Sequence, residues 1–270
     1  MSQALAAKVE ARAATDEEVK FYHKNGWVKM EGLISKDLAA QMLERAKAEI
    51  LDGQSDGARS HDRPAWRDVY NLGRDEMVEP FASLVRSPVI GRNTQRFIRR
   101  DVGIATHADM LAVKMPKGQP GSGVTEYHQD YPNFPLDRHG LLTFWIALED
   151  MGPEQGIMRF FNGSHKEGPL GKRPLDTGGL LDFYPYVAED YPLSEPLSLK
   201  AGDCTVHNSL VVHGAPANST SDKPRWTYLM SYYPTDARWT GAPHHIFNAE
   251  AGLKLQEPVV SPKFPIVIGG

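Results

Sequence analysis

The chain has 270 residues, 41% hydrophobic and 24% charged, ordinary values for a folded domain that exclude disorder and fibrous repeats. Its 30 Lys and Arg against 34 Asp and Glu leave a formal charge of −4, so no basic field points to nucleic acid or an anionic membrane, and the expected partner is a small molecule. The one cysteine, Cys204, cannot form an intrachain disulfide, a thiolate zinc site or an iron–sulfur cluster; any metal must be held by His, Asp and Glu, and a reducing, cytoplasmic setting is expected.

Thr15 and Glu18 have the spacing of a capping box, which predicts a short helix over DEEVKFYHKN closed by Gly26. Trp27 to Met30 reads as a strand. Ser35 then caps a second helix, whose Leu38, Met42, Ala46 and Ile50 recur every four residues until Gly53. These elements make residues 1–55 a helical flank. Asp52 to Asp68 is polar and interrupted by Gly53, Gly57 and Pro64, so a loop is predicted there. Helical density fades downstream. Short β-type runs follow (DMLAVKM, VTEYHQD, LLTFWIAL, CTVHNSLVVH, RWTYLMSYY), separated by Gly- and Pro-rich connections. A mainly β sandwich or jelly roll with flanking helices, one domain over 1–270, accounts for this order. The connection from Lys166 to Lys200 is long, rich in Pro and Gly, and carries Phe183, Tyr184, Tyr186 and Tyr191; it is a candidate lid over the substrate. Leu141 to Leu148, the longest apolar stretch, falls well short of the roughly 18 residues of a membrane span. The charged start MSQALAAKVEARAATDEE lacks the apolar run of a signal peptide.

Phosphate-loop, zinc-peptidase, nucleophile-elbow and dinucleotide fingerprints are absent, and attention falls on histidine. A His-x-Asp/Glu pair in a strand puts both side chains on one face, where they can share an ion. Three occur: His107/Asp109, His128/Asp130 and His165/Glu167. Only His128/Asp130 lies between two flexible stretches, KGQPGSG and YPNFP, at the end of a β-type run. His165 in NGSHKEG reads as a turn. His107 shares a face with Asp109, Leu111 and Val113, leaving Lys114 opposite with Met110 and Ala112, so if Lys114 faces a cavity, His107 does not. A third ligand should come from CTVHNSLVVHG, where His207 and His213 compete. Extended chain separates them by roughly 20 Å, so both can reach one ion only if the strand bends sharply. His213 stands at the strand end before Gly214, with Arg225 available to grip a carboxylate from the next run. His107, His139, His207 and the pair His244/His245 read as structural or solvated, and Cys204 as core.

Three blocks, KMPKGQPGSGVTEYHQDYPNFP, LLTFWIALEDMGPEQGIMRFFNGSHKEG and LKAGDCTVHNSLVVHGAPANSTSDKPRW, with the opening EEVKFYHKNGWVKMEGLI, closely resemble the phytanoyl-CoA dioxygenase-like family of Fe(II)- and 2-oxoglutarate-dependent oxygenases. The resemblance implies a double-stranded β-helix (jelly roll, cupin-like) in which His128, Asp130 and His213 are the catalytic metal ligands. It further implies that Arg225 grips the distal carboxylate of 2-oxoglutarate, with Lys114, Thr143 and Trp145 lining the same pocket. Strand parity agrees for Thr143 and Trp145, which lie opposite Leu142, Phe144, Ile146 and Leu148. Ala215 departs from relatives that carry Ser after His-Gly. Fe(II), 2-oxoglutarate and O₂ are then the expected cofactors and cosubstrates, giving succinate and CO₂. Because Asp130 occupies the position that related halogenases leave to a halide, hydroxylation or desaturation is expected. The prime substrate is expected to be a free small molecule such as a secondary-metabolite intermediate. A metal-binding barrel without oxygenase activity, or a hydrolase or isomerase on the same fold, is the alternative.

Overall fold

The computed structural model describes residues 10–51, 60–171, 179–244 and 247–270. Helix α1 (Asp16–Asn25) begins at the expected capping box: the Thr15 hydroxyl accepts from the Glu18 amide while the Glu18 carboxylate accepts from the Thr15 amide. It ends at Gly26, whose φ of 82° lets its amide return to the Tyr22 carbonyl. Strand β1 (Trp27–Met30) leads to α2 (Lys36–Leu51), which buries Leu38, Met42 and Ala46 on one face as their spacing requires.

Residues 52–59 of the predicted loop lie outside the described residues. The remainder is not a loop: β2 (Ser60–Asp62) and β3 (Arg67–Tyr70) form a hairpin that extends the main sheet. The stretch read as poor in helix contains α3 (Phe81–Val85) and α4 (Pro88–Ile98). Pro88 opens α4 at a position where its missing amide hydrogen costs nothing, and Ile90, Thr94 and Phe97 form its buried face.

The β region comprises β4 (Ile104–Lys114), β5 (Thr125–His128), β6 (Leu142–Ala147), β7 (Arg159–Phe160), β8 (Cys204–Asn208), β9 (His213–Ala215), β10 (Arg225–Pro234) and β11 (Ile266–Ile268), with α5 (Leu180–Phe183) and α6 (Tyr186–Asp190) between β7 and β8. The pairings are antiparallel. The large sheet runs β1-β8-β6-β10-β4-β3-β2, with β11 added to β4; the small sheet is β5-β9-β7. Leu142, Phe144, Ile146, Cys204, Val206, Tyr228 and Met230 leave one face of the large sheet and pack against the helices in one core. The alternate residues Thr143, Trp145, Arg225, Leu229 and Ser231 line a cavity with His128, His213 and Ala215 of the small sheet. The two sheets therefore face each other across the cavity as a jelly roll, in agreement with the sequence reading. No helix among the described residues is long and apolar enough to cross a membrane.

Of the candidate lid, residues 172–178 lie outside the described residues. In the described part, Leu180, Val187, Tyr184, Tyr186 and Tyr191 pack with Tyr127, Phe161 and Val212. The hydroxyls of Tyr186 and Tyr191 donate to the Glu167 carboxylate, and Phe183 points to solvent. None of these side chains lines the cavity.

Candidate active site

His128 and His213 are direct register partners across the antiparallel β5/β9 pair. Gly214 permits this approach, because a Cβ there would stand 2.9 Å from the Thr125 carbonyl oxygen and from the Tyr127 ring. Asp130 reaches the same point by a different route from strand alternation. Strand β5 ends at His128, and Asp130, in helical conformation (φ −74°, ψ −41°), opens the 3₁₀ turn Tyr131–Asn133. One donor atom from each of His128, Asp130 and His213 lies within 4.8 Å of the others. His128 Nδ1 donates to the Glu126 carbonyl at 2.7 Å and His213 Nδ1 to the Val211 carbonyl at 3.0 Å. Those bonds fix the tautomer that puts the lone pair on Nε2 in both rings, and both Nε2 atoms face Asp130 Oδ1, at 3.5 and 3.8 Å.

The electrostatics keep His213 and Asp130 in ligating form. Burial, aided by the neighbouring His128, pushes the His213 pKa down to about 3, so its ring is neutral at physiological pH. Burial by itself would raise the Asp130 pKa, but His213, His128 and His207 overcome it and hold the carboxyl well below the usual range. Two imidazoles and one carboxylate beside a cavity of about 300 Å³ form a donor set suited to a non-haem ferrous ion with open positions.

Arg225 enters the cavity wall from the first position of β10. Its Nη1 donates to the Gly156 carbonyl and its guanidinium lies over the Trp145 ring, 5.1 Å from the centroid. Its buried Nε has no partner, and burial pushes the group down to about 9. A buried guanidinium with an unmet donor fits a carboxylate ligand such as that of 2-oxoglutarate. Thr143 Oγ1 and Ser231 Oγ, 3.0 Å apart, lie on the same cavity face. Lys114 is Arg225's register partner but does not line the cavity, contrary to the expectation from sequence. Its Nζ donates to the carbonyls of Gly123 (2.7 Å) and Pro216 (2.9 Å), while burial and then Arg225 push its pKa down to about 6.

Three further histidines, His207, His107 and His244, enter the site. CTVHNSLVVH is two strands, not one: the chain turns at Ser209–Val212 and passes from the large sheet to the small one. That turn brings the His207 and His213 rings to 4.5 Å, and His207 Nε2 lies 3.2 Å from the second Asp130 oxygen, Oδ2. His207 thus braces the Asp130 carboxylate. His107 also lines the cavity, against the parity rule, because the β4/β10 register slips there: Ser231 pairs with Ala108 but Tyr232 pairs with Thr106. The extra residue is His107, and the bulge re-aims it onto Phe247, with which it stacks at 4.9 Å. Trp66, Tyr70, Phe134 and His244 complete this ring-lined end. His245 lies outside the described residues, His139 is exposed, His165 sits in the 3₁₀ turn Ser164–Glu167, and Cys204 is fully buried in the core.

Fold and site together define a jelly-roll oxygenase of the non-haem iron type. Residues 22–226 match the family described as Phytanoyl-CoA dioxygenase (PhyH), and the chain belongs to it. It is 24% identical over 235 residues, 82% of this chain and 79% of the other, to a probable alpha-ketoglutarate-dependent hypophosphite dioxygenase of Stutzerimonas stutzeri. Among solved structures, it is 25% identical to the non-heme alpha-ketoglutarate-dependent carbocyclase SnoK from nogalamycin biosynthesis, with a TM-score of 0.77 over 97% of this chain and 100% of that one. The epimerase SnoN, solved with Fe3+, alpha-ketoglutarate and nogalamycin RO, shares the fold at a TM-score of 0.72 and 24% identity, over 94% and 98% of the two chains. The chain is a 2-oxoglutarate-dependent non-haem iron dioxygenase.

Proposed function

We propose that this dioxygenase hydroxylates a small organic molecule, with His128, Asp130 and His213 holding one ferrous ion and Arg225 receiving the distal carboxylate of 2-oxoglutarate. The observation that carries this reading is the convergence of three ligand atoms within 4.8 Å on a cavity whose wall holds the partly unsatisfied guanidinium of Arg225. When bound, iron with 2-oxoglutarate and O₂ supplies an oxidant able to take hydrogen from carbon, releasing succinate and CO₂. The chain's own residues bind, orient and exclude water. Trp145 holds the Arg225 plane, the Thr143/Ser231 hydroxyl pair offers further donors on the same wall, and Met158 and Leu229 keep that end apolar. Lys114 acts from behind as a support. The ring-lined end formed by Trp66, Tyr70, His107, Phe134 and His244 takes the prime substrate. A cavity of about 300 Å³ suits a free small molecule, such as a secondary-metabolite intermediate, better than a coenzyme A thioester.

The test is succinate release from 2-oxoglutarate with Fe(II) under ¹⁸O₂ across a set of such molecules. Stimulated release with one labelled oxygen in the product is the expected result. Stimulated release with loss of two hydrogens and no label would replace hydroxylation with desaturation or ring closure. Absence of any 2-oxoglutarate turnover would return the chain to a metal-binding barrel.

A further inference from the structure

Strand pairing places His128 and His213, but it does not place Asp130, because β5 ends at His128 and Asp130 has helical backbone angles. Two contacts bracket Asp130 in sequence, and both run to one turn. On one side the Gln129 side chain donates from Nε2 to the Leu210 carbonyl at 2.6 Å; on the other the Tyr131 amide donates to the Ser209 carbonyl at 2.9 Å. Ser209 and Leu210 belong to the turn that carries the chain from His207 to His213. We propose that Gln129 is a positioning residue: its amide docks the Asp130 backbone onto that turn, and ties both to the 168–170 segment at the start of the long connection to β8. The proposal rests on the reading of His128, Asp130 and His213 as the metal ligands.

Gln129 is buried and does not line the catalytic cavity, so its amide serves the chain itself and not a bound molecule. The second Nε2 hydrogen goes to the Gly168 carbonyl at 2.9 Å, and Oε1 accepts from the Leu170 amide at 2.8 Å. These three partners fix the orientation of the amide, since a flipped group would set its oxygen against two carbonyls and its NH2 against an N–H. Two donors and one acceptor on one stem are what glutamine supplies; an ionised Glu has no donor, and Met has only a weak acceptor. The same segment holds the turn a second time, because Ser164 Oγ accepts from the Val212 amide at 2.8 Å. Turn 209–212, Gln129 and residues 164–170 thus close a ring of hydrogen bonds around the backbone that presents Asp130 to His207 and His213, 3.2 and 3.8 Å away. A ligand set must be held within about 0.5 Å of its working geometry. For a carboxylate at the start of a 3₁₀ turn, outside any strand ladder, that requirement falls on the groups that fix its backbone.

Oxygen-free Fe(II) titration of the full chain, together with amide hydrogen exchange, tests this. Gln129→Met keeps the length of the side chain and removes both donors; it should weaken Fe(II) binding about tenfold or more, the usual cost of losing a group that orients a ligand. Met42→Ala, a cavity in the buried face of α2, supplies a variant of reduced stability that should bind Fe(II) like the wild type, each protein being titrated at a temperature where it is folded. In the wild type, Fe(II) should also slow exchange of the Leu170 amide, because the metal and Gln129 hold the same backbone. A folded Gln129→Met that binds Fe(II) with wild-type affinity overturns the proposal, and so does Leu170 exchange indifferent to Fe(II) in the wild type. If Gln129→Met does not fold, the exchange measurement decides. Either failure, with one Fe(II) still bound by the wild type and lost in His128→Ala, leaves the ligand reading standing; a wild type that binds no Fe(II) removes both.

Discussion

Asp130 is the residue on which the site turns, because its two oxygens do different work. Oδ1 faces the Nε2 atoms of His128 and His213, whereas Oδ2 is held by His207. A carboxylate so clamped presents one oxygen to a metal at a fixed angle, and loss of the clamp typically weakens metal affinity about 10- to 100-fold without removing a ligand. His207→Ala should therefore retain an iron site of reduced affinity, and His207→Gln, which keeps a donor, should recover part of the loss; Fe(II) titration measures both. Removing Asp130, His128 or His213 by change to Ala should abolish turnover. Arg225 makes a separate prediction. Arg225→Lys keeps charge but loses the planar fork and its packing on Trp145, so the KM for 2-oxoglutarate should rise at least about tenfold while iron binding is unchanged. An unaltered KM would place the anchor elsewhere.

Among the elements, β5 and β9 carry His128 and His213 although they are short and belong to the smaller sheet, so something must hold their flanks. Lys114 does this. From the end of β4 its Nζ reaches the Gly123 carbonyl before β5 and the Pro216 carbonyl just after β9. Lys114→Met should leave both carbonyls buried without their donor, at about 2–4 kcal/mol of stability, visible as a lower urea midpoint. A change in the KM for 2-oxoglutarate with stability intact would instead support the direct cosubstrate contact that family resemblance implies. The same elements show what a sequence can disclose. The capping box at Thr15, the parity of Thr143 and Trp145 and the His128/Asp130/His213 set were legible, because they depend on local periodicity and on motif blocks. The His107 bulge was not, since one added residue in β4 inverts every parity on its far side and leaves no local mark. The break between His207 and His213 was equally hidden: SLVV has strand propensity, yet the four residues turn because tertiary packing on Phe160 and Phe161 overrides it. Helix α4 escaped notice because its apolar positions are few and its exposed face is rich in Arg.

At the scale of the whole molecule, the large sheet separates two environments. Its helix-covered face holds the principal core, and its other face holds buried Arg225, His207 and Thr143, which stabilise little by packing. Stability is thus exchanged for a site whose titrating groups are held in the form that binds metal, and acid should expose that cost. The His213 pKa lies near 3 in the folded chain against an ordinary 6.5, so between those values the unfolded chain binds the proton and the folded one does not. Stability of the metal-free protein must then fall as pH drops from about 6.5 toward 3, and Asp130, with its depressed pKa, adds loss in the same direction below 3.8. Lys114 acts on the alkaline side: depressed from 10.5 to about 6, it makes stability rise with pH across that interval. The Tm of the metal-free chain should accordingly climb from acid into the mildly alkaline range. In His213→Gln the slope between pH 6.5 and 3 should flatten while the slope above pH 6 persists, and in Lys114→Met the reverse should hold. Fe(II) binds the neutral imidazole and the ionised carboxylate only, and in the folded chain His213 is already neutral above about pH 3, so a fixed excess of metal should raise the Tm more at pH 5 than at pH 3. An equal increment at both pH values would show that these residues are not the ones bound to it.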